Sequence, residues 1–177
     1  MKVVESGWVF KLKLNADNTV ERYKSRLVAK GYSQRPGYDY TKVFAPTFHP
    51  ASLRLIMALA AKEGFKMRSI DISSAFTYGD LDEEIYMRQP EGYHQGGPNI
   101  VCKLHKSLYG LKQSARQWNK KLHSVFDSLQ FKRVQSDNSI YIYSKGEVKV
   151  IVPVFINDIT LVSKSNAVIA STIAELK

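Results

Sequence analysis

Cysteine is nearly absent from this 177-residue chain, which contains only Cys102. A single thiol excludes an internal disulfide framework and any zinc site built from cysteines. Long apolar runs are also missing, because no stretch approaches the roughly 18 apolar residues that a membrane-spanning helix requires. The first residues lack an apolar core of signal-peptide length. We therefore expect an intracellular protein that has no membrane partner.

Acidic residues are scarce, since 16 Asp and Glu face 26 Lys and Arg, giving a net charge of +10. This charge predicts a polyanionic partner, and no amphipathic basic terminus points to a membrane surface instead of nucleic acid. Two basic segments, 22–42 and 103–133, flank an acidic segment at 80–91. The plain alternative is scattered surface lysine. The order of the segments instead favours a phosphate-facing groove beside a metal-binding patch.

The pattern of apolar and polar residues predicts an α+β fold in which an antiparallel sheet carries helices packed on one face. The predicted elements are an opening hairpin over 8–29, a helix over 50–64, a strand over 66–72, a helix from Ser114 or Ala115, a hairpin over 139–156 and a helix from Ala167. In the first helix, apolar residues recur at helical spacing at Leu53, Ile56, Met57, Ala60 and Ala61. Residues 31–48 are predicted to form an ordered loop that is pinned by its tyrosines and phenylalanines.

Acidic residues follow two apolar strands that are far apart in the chain. Asp71 lies between Ile70 and Ile72, and the pair Asn157-Asp158 separates two apolar runs as a predicted two-residue turn. Each aspartate alone is most simply a turn or helix-cap residue. If the strands are neighbours, however, Asp71 and Asp158 can share a metal ion, as two-metal phosphoryl transfer requires. Asn157 offers an amide oxygen without charge, which binds a hard dication weakly.

Several longer motifs carry a family resemblance. They are Trp8–Lys13, Glu21–Tyr40, Phe44–Pro46, Asp71–Phe76, Gly79–Met87, Gln89–Tyr93, Lys106–Gln113, Arg116–Trp118 and Ser136–Ser139. On these motifs the chain resembles the reverse transcriptase domain of copia-type (Pseudoviridae) retrotransposons over nearly all of its length. The resemblance implies an RNA-directed DNA polymerase that uses Mg²⁺ or Mn²⁺, a template-primer of RNA or DNA, and deoxynucleotide triphosphates.

The resemblance also implies an architecture and a setting. One right-hand polymerase domain would span 1–177, with 1–65 and 80–115 fingers-like and 66–79 and 116–177 palm-like. Because the chain ends soon after the third motif, we expect the thumb and the remaining polyprotein domains to lie outside it. Family members work in cytoplasmic particles and deliver DNA to the nucleus, so either place is implied here.

The resemblance assigns roles to individual residues. The metal ligands would be Asp71, the backbone of Ile72, and Asp158, with Asn157 at a degenerate catalytic position. The nucleotide would contact Lys24, Arg26, Lys30, Phe76, Tyr109, Gly110 and Lys112, and nucleic acid would contact Arg116, Lys120 and Lys121. Phe76 would exclude a 2′-hydroxyl by packing under the incoming sugar, although a core phenylalanine is the alternative.

Four departures from the family pattern bear on activity. Asn157 replaces the first acid of the usual Tyr-Val-Asp-Asp motif, and Phe155 replaces its tyrosine. Ser114-Ala115 stands where Ala-Pro is usual, and Thr77-Tyr78 stands where Leu-Asn is usual. The loss of the carboxylate predicts a weak or inactive enzyme, because phosphoryl transfer depends on charge neutralisation. A non-catalytic nucleic-acid-binding module and a decayed or engineered remnant are the alternatives.

Overall fold

The computed structural model describes residues 3–97 and 99–176, which form an α+β structure. Its strands are β1 (Ser6–Leu14), β2 (Val20–Ala29), β3 (Lys66–Asp71), β4 (Asp80–Arg88), β5 (Val101–Lys106), β6 (Lys132–Arg133), β7 (Ile140–Lys145), β8 (Val148–Phe155) and β9 (Asp158–Ser163). Its α-helices are α1 (Pro50–Glu63), α2 (Ser114–Ser128) and α3 (Asn166–Glu175), and short 3₁₀ turns cover Gly31–Ser33 and Ala75–Tyr78. None of the described helices is long and apolar enough to cross a membrane.

The chain divides into two compact units. Unit 1 comprises Met1–Phe44 with Phe76–Trp118, and unit 2 comprises Ala45–Ala75 with Asn119–Lys177. The assignment of ranges to fingers-like and palm-like parts stays a prediction. Each unit has its own buried apolar cluster, which is the physical basis for treating it as a folded body.

Unit 1 is built from two antiparallel strand pairs, β1–β2 and β4–β5. The predicted opening hairpin is confirmed, and its alternating sequence places successive side chains on opposite faces. Val4 joins the segment before β1 to β4, because its N–H donates to the Tyr86 carbonyl at 2.8 Å. The core of the unit consists of Val4, Ala29, Ile85, Met87 and Leu111.

Unit 2 contains a five-stranded antiparallel sheet in the order β3-β9-β8-β7-β6. The prediction that helices cover only one face is wrong. Ile56 of α1 packs in a cluster with Ile140 of β7, whereas Phe126 of α2 stacks on Tyr141, the next residue of β7, with ring centroids 4.4 Å apart. Since neighbouring strand residues point to opposite faces, α1 and α2 cover opposite sides of the sheet. The sequence pattern shows which helix residues are apolar, but it does not show against which face of the sheet each helix packs.

Helix α1 begins and ends where the sequence indicates. Pro50 occupies its first turn, and Gly64 ends the helix in the left-handed conformation at φ +67°. Of the apolar residues that recur at helical spacing, Ile56 and Ala60 are buried, but Met57 is 51% exposed. The apolar face of α1 therefore meets the sheet along a single row of side chains.

The loop after β2 is ordered only in part by the aromatic rings that the sequence predicts: Phe48 packs against Phe155, with ring centroids 5.4 Å apart. Tyr32 and Tyr38 are each 78% exposed, so these rings do not pin it. The fully buried Gln113 accepts a hydrogen bond from the Gln34 amide at 3.1 Å and donates to the Asp39 carbonyl at 3.0 Å. A buried amide that satisfies both its donor and its acceptor holds the loop in one conformation.

Candidate active site

Two carboxylates face each other at the end of a strand pair in unit 2. Strands β3 and β9 are antiparallel, and their register closes on Asp71 opposite Asp158. The preceding pair, Ile70 and Ile159, points to the other face, and Ile159 is fully buried there. Alternation along the strands therefore places both aspartates on one face, where they are exposed. The two strands are thus neighbours, which is the condition under which the aspartates can share a metal ion.

The turn beside the carboxylates is shifted by one residue from its predicted position. It consists of Ile156 and Asn157, while Asp158 is the first residue of β9. Ile156 adopts φ +59°, a left-handed conformation that a β-branched side chain rarely accepts. Two-residue hairpins with a positive φ at the first central position usually place glycine there. Backbone strain of this kind is concentrated at functional sites.

Asn157 is tied to the neighbouring strand through both its side chain and its backbone. Its amide Nδ2 donates a hydrogen bond to Oδ1 of Asp71. Its carbonyl accepts from the Ile72 N–H at 3.0 Å. The side-chain hydrogen bond gives one oxygen of Asp71 a neutral donor. A carboxylate at position 157 would instead repel the carboxylate of Asp71. The amide therefore stabilises the two facing strands without requiring a cation.

The oxygen donors at this strand end suit a hard divalent cation. Mg²⁺ is usually held by one or two carboxylates together with substrate phosphates, and Asp71 and Asp158 supply that number. Among the residues that the structure describes, no group of three or more His, Cys, Asp or Glu side chains is arranged around a common metal position. Two carboxylates suit one such cation, whereas the Asn157 amide donates its N–H to Asp71.

Three residues that the resemblance assigns to nucleotide binding meet in unit 1. The Tyr109 ring lies 4.9 Å from the Phe76 ring, centroid to centroid. The Arg26 guanidinium lies 5.5 Å from the centroid of the same ring. Arg26 and Phe76 thus both contact Tyr109, and Phe76 is half-buried, outside the apolar core of the unit. Their role in binding stays a prediction.

Gly110 lets the segment after Tyr109 approach β2 closely. A Cβ at Gly110, which has φ +91°, would lie 2.0 Å from the Ala29 carbonyl oxygen. The Ala29 N–H donates to the Tyr109 carbonyl at 2.8 Å, which closes the contact. The contact fixes the end of β2, and Lys30 follows directly with an exposed side chain.

The remaining predicted residues lie near these elements within each unit. Lys24 is half-buried on β2, and the Lys112 N–H donates to Gln34 Oε1 at 2.8 Å. Arg116 of α2 donates to the Phe44 carbonyl at 3.4 Å. Lys120 is exposed and Lys121 is half-buried on the same helix. The structure thus groups the nucleotide-binding candidates in unit 1 and the metal-binding candidates in unit 2.

Sequence reasoning missed an aromatic cluster in unit 1. The Trp8 ring lies 5.6 Å from the Tyr93 ring and 6.4 Å from the Phe10 ring, centroid to centroid. Both Trp8 and Tyr93 lie within motifs of the family resemblance, but they are 85 positions apart, and no local pattern links them. Their contact is long-range, and the sequence alone offers no signal for it.

Comparison with known proteins supplies the family. A family model described as reverse transcriptase (RNA-dependent DNA polymerase) matches residues 1–177. The chain therefore belongs to the reverse transcriptase family. No solved structure matches it.

Curated relatives narrow this class to copia-type Pol polyproteins. The chain is 42% identical over 171 residues to the retrovirus-related Pol polyprotein from transposon TNT 1-94 of Nicotiana tabacum, covering 96% of the chain and 13% of that protein. It is 37% identical over 175 residues to the Pol polyprotein from transposon RE1 of Arabidopsis thaliana, covering 98% and 12%. It is 32% identical over 164 residues to the transposon Ty1-NL2 Gag-Pol polyprotein of Saccharomyces cerevisiae, covering 92% and 9%. The chain thus spans a small part of these relatives, and the copia-type resemblance is confirmed.

Proposed function

We propose that the chain is the part of a retrotransposon reverse transcriptase that binds the nucleotide and the catalytic cation, and that Asn157 weakens its activity. The observation that carries this proposal is the pairing of Asp71 with Asp158 across β3 and β9. Its partners would be a template-primer of RNA or DNA and deoxynucleotide triphosphates. The reaction would be attack of the primer 3′-oxygen on the α-phosphorus, with pyrophosphate leaving.

The residues of the chain would divide this work between them. Asp71, Asp158 and the Ile72 carbonyl would hold Mg²⁺ or Mn²⁺, which supplies charge neutralisation for phosphoryl transfer. Arg26, fixed against Tyr109, would bind the negative triphosphate. Phe76, fixed against the same ring, would pack under the sugar and exclude a 2′-hydroxyl.

Asn157 would weaken this site in two ways. It brings no negative charge, so the site attracts a dication less strongly than a third carboxylate would. Its amide also occupies Oδ1 of Asp71 as a hydrogen-bond donor, and a cation must displace that bond. We therefore expect the chain to bind its substrates better than it converts them.

Primer extension on an RNA template tests the proposal. We expect Asn157→Asp to extend the primer on the order of a hundredfold faster than the natural chain, since one charged group at a transition state is worth about that much. Adding Asp71→Asn to that variant should abolish the gain. Equal rates for the natural chain and Asn157→Asp would overturn the assignment of Asn157 as the weak ligand.

Thermal unfolding with Mn²⁺ gives a readout that needs no activity. A cation that binds only the folded protein stabilises it by about 2.7 kcal/mol at a hundredfold excess over its dissociation constant. Mn²⁺ should raise the midpoint temperature of unfolding of the Asn157→Asp variant more than that of the natural chain. The Asp71→Asn variant should show no rise. An equal shift in all three proteins would show that the ion binds elsewhere.

A non-catalytic nucleic-acid-binding module is the second candidate function. The β1–β2 hairpin favours it, because Lys11 lies opposite Lys24 and Lys13 lies opposite Arg22. Like charges that face each other across strands are destabilising unless an anion neutralises them. Salt-sensitive binding by both the natural chain and Asn157→Asp, without extension by either, would select this function over the polymerase.

A further inference from the structure

Two buried glutamines of unit 1 face each other beside the nucleotide-binding candidates. Gln113 is fully buried and Gln34 is 5% exposed. The Gln34 side-chain Nε2 donates a hydrogen bond to Gln113 Oε1 at 3.1 Å. Glutamine is mostly found on protein surfaces, because a buried amide has to find all of its hydrogen-bond partners inside the protein. Neither residue is among those assigned above to the cation, the nucleotide or nucleic acid, so this glutamine pair needs its own explanation.

The glutamine pair joins three parts of unit 1: the loop after β2, strand β4, and the segment 108–113 that leads into α2. Gln34 Oε1 accepts from the Lys112 N–H at 2.8 Å. Gln113 Nε2 donates to the Asp39 carbonyl at 3.0 Å and to Glu83 Oε2 at 3.1 Å. Both amides therefore use their donor and their acceptor, and a buried network that is fully paired specifies one arrangement of the segments it joins.

Close backbone packing reinforces this arrangement. A Cβ at Gly31 would lie 2.1 Å from the Gly110 carbonyl oxygen and 2.9 Å from Gln34 Oε1, so the residue at position 31 has no room for a side chain. At the same place, the Ala29 N–H donates to the Tyr109 carbonyl at 2.8 Å. The backbone of Tyr109 is thus held directly by β2, and the residues that follow it are held by the glutamine pair.

Tyr109 transmits this constraint to Phe76. The two rings lie 4.9 Å apart, centroid to centroid, and are tilted by 55°. Phe76 is only half-buried and lies outside the apolar core of the unit, so the contact with Tyr109 supports it where the core does not. Exclusion of a hydroxyl by a ring depends on where that ring lies, and a displacement of about 1 Å in a site can change its performance up to a hundredfold.

We propose that Gln113 and Gln34 are positioning residues for sugar selection: they fix the segment that carries Tyr109, and Tyr109 holds Phe76 where it excludes a 2′-hydroxyl. This inference rests on the proposed function, because it takes Phe76 as the residue that packs under the incoming sugar. Neither glutamine has to touch the nucleotide. Loss of the pair should therefore change which sugar is accepted more than it changes binding of the triphosphate.

Binding of two nucleotides that differ only in the 2′-hydroxyl tests the inference. The pair is dTTP and ribothymidine triphosphate, measured by calorimetry with Mn²⁺ and an RNA template whose primer ends in a dideoxynucleotide, so that no extension occurs. We expect the natural chain to prefer dTTP by up to about a hundredfold, the scale on which an apolar pocket rejects an added hydroxyl. Gln113→Leu should reduce this preference about tenfold. Partial unfolding lowers both affinities equally, so the ratio reports position and not stability.

Two further variants separate positioning from general packing. Gln34→Leu removes the same contact from the other side and should reduce the preference as much as Gln113→Leu. The double variant should lose no more than either single variant, because residues that share one contact are not additive. Gln117→Leu is the matched control: Gln117 is 3% exposed in the same unit, and its Nε2 donates to Asp82 Oδ2 of β4 at 3.0 Å. It should keep the natural preference.

Phe76→Ala distinguishes failure of this inference from failure of the proposed function. If Phe76→Ala loses the preference for dTTP while Gln113→Leu and Gln34→Leu keep it, the glutamines do not position Phe76, and the proposed function stands. An equal loss in Gln117→Leu would also overturn the inference, since any buried glutamine would then have the same effect. If the natural chain binds both nucleotides equally well, Phe76 selects no sugar, and the role proposed for it is wrong together with this inference.

Discussion

Ile156 holds a backbone conformation that costs free energy at the turn beside the carboxylates. Its φ of +59° lies in the left-handed region, which costs a residue with a Cβ about 1–2 kcal/mol. The residue is 39% exposed, so it recovers only part of this cost by burial. The turn is therefore maintained by the strands on either side of it, β8 and β9.

Replacing Ile156 with glycine should relieve this strain. We expect the free energy of unfolding of Ile156→Gly to stay level or to rise by up to about 1 kcal/mol, because relief of strain offsets the entropy cost of glycine. Val148→Gly is the matched control: Val148 is 38% exposed, β-branched and free of positive φ. It should lose about 1 kcal/mol. Urea unfolding measures both, and equal losses would show that Ile156 is unstrained.

The same residue explains why the sequence misplaces the turn. Asparagine and aspartate are common turn residues, so Asn157-Asp158 is the natural prediction from propensity. The register of β3 and β9 instead puts Asp158 in the strand and forces Ile156 into the turn. The sequence shows that each of two apolar strands adjoins an acid, so the pairing of Asp71 with Asp158 was an evident possibility. The position of the turn could not be predicted, because long-range pairing overrides local preference.

At the scale of elements, helix α1 obtains its N-terminal hydrogen-bond acceptor from a distant segment. Its N-cap residue, His49, makes no side-chain cap hydrogen bond. The His49 N–H instead donates to Asp137 Oδ2 at 2.8 Å. The other oxygen of Asp137 accepts from the Ser139 N–H at 3.1 Å. A buried carboxylate at a helix N-terminus is also favoured by the helix dipole.

These contacts set the ionisation of Asp137. Burial acts to raise the pKa of its carboxyl, but hydrogen bonds from the His49 and Ser139 backbone and from the Ser52 side chain outweigh it and lower the pKa. A carboxyl whose pKa is lowered on folding stabilises the protein above the pKa of the unfolded chain. That contribution is lost as the pH falls through the lowered pKa.

Asp137→Asn should therefore destabilise the protein in a pH-dependent way. We expect a loss of about 1–3 kcal/mol at pH near 7, which shrinks below a pH of about 4 as the natural carboxylate is itself protonated. Urea unfolding across this pH range measures the difference between the two proteins. Asp127→Asn removes one exposed carboxylate as the control. A difference that stays constant with pH would contradict an ionised Asp137.

Local patterns predicted most elements but not the contacts between distant ones. The bounds of α1 follow from Pro50 and Gly64, whose backbone preferences act within a turn. The pinning of the loop by Gln113 and the capping of α1 by Asp137 join residues 79 and 88 positions apart. These long-range hydrogen-bond partners depend on how the sheet and the core pack, and that packing cannot be read from a single sequence. The same reason accounts for the failure to predict that helices cover both faces.

At the scale of the whole molecule, the net charge of +10 includes a group of cations that the fold places side by side on one hairpin. Lys11 lies opposite Lys24 and Lys13 opposite Arg22, on one face of β1–β2. Facing cations of this kind disfavour strand pairing, and the ion pair of Arg22 with Glu21 at 3.5 Å offsets part of that repulsion. A phosphate backbone along this face would turn the repulsion into attraction and release bound counterions.

Salt dependence separates this local effect from the total charge. The logarithm of the affinity for single-stranded nucleic acid falls with the logarithm of salt concentration, by a slope of about −0.7 for each phosphate contacted. Replacing Lys11, Lys13 and Arg22 with alanine should reduce the magnitude of that slope by up to about 2, since three contacts are lost. Replacing Lys62, Lys145 and Lys149, three exposed lysines of unit 2, removes the same charge and should leave the slope nearly unchanged. Equal slopes for the two triple variants would mean that binding follows net charge alone and that the hairpin has no privileged role.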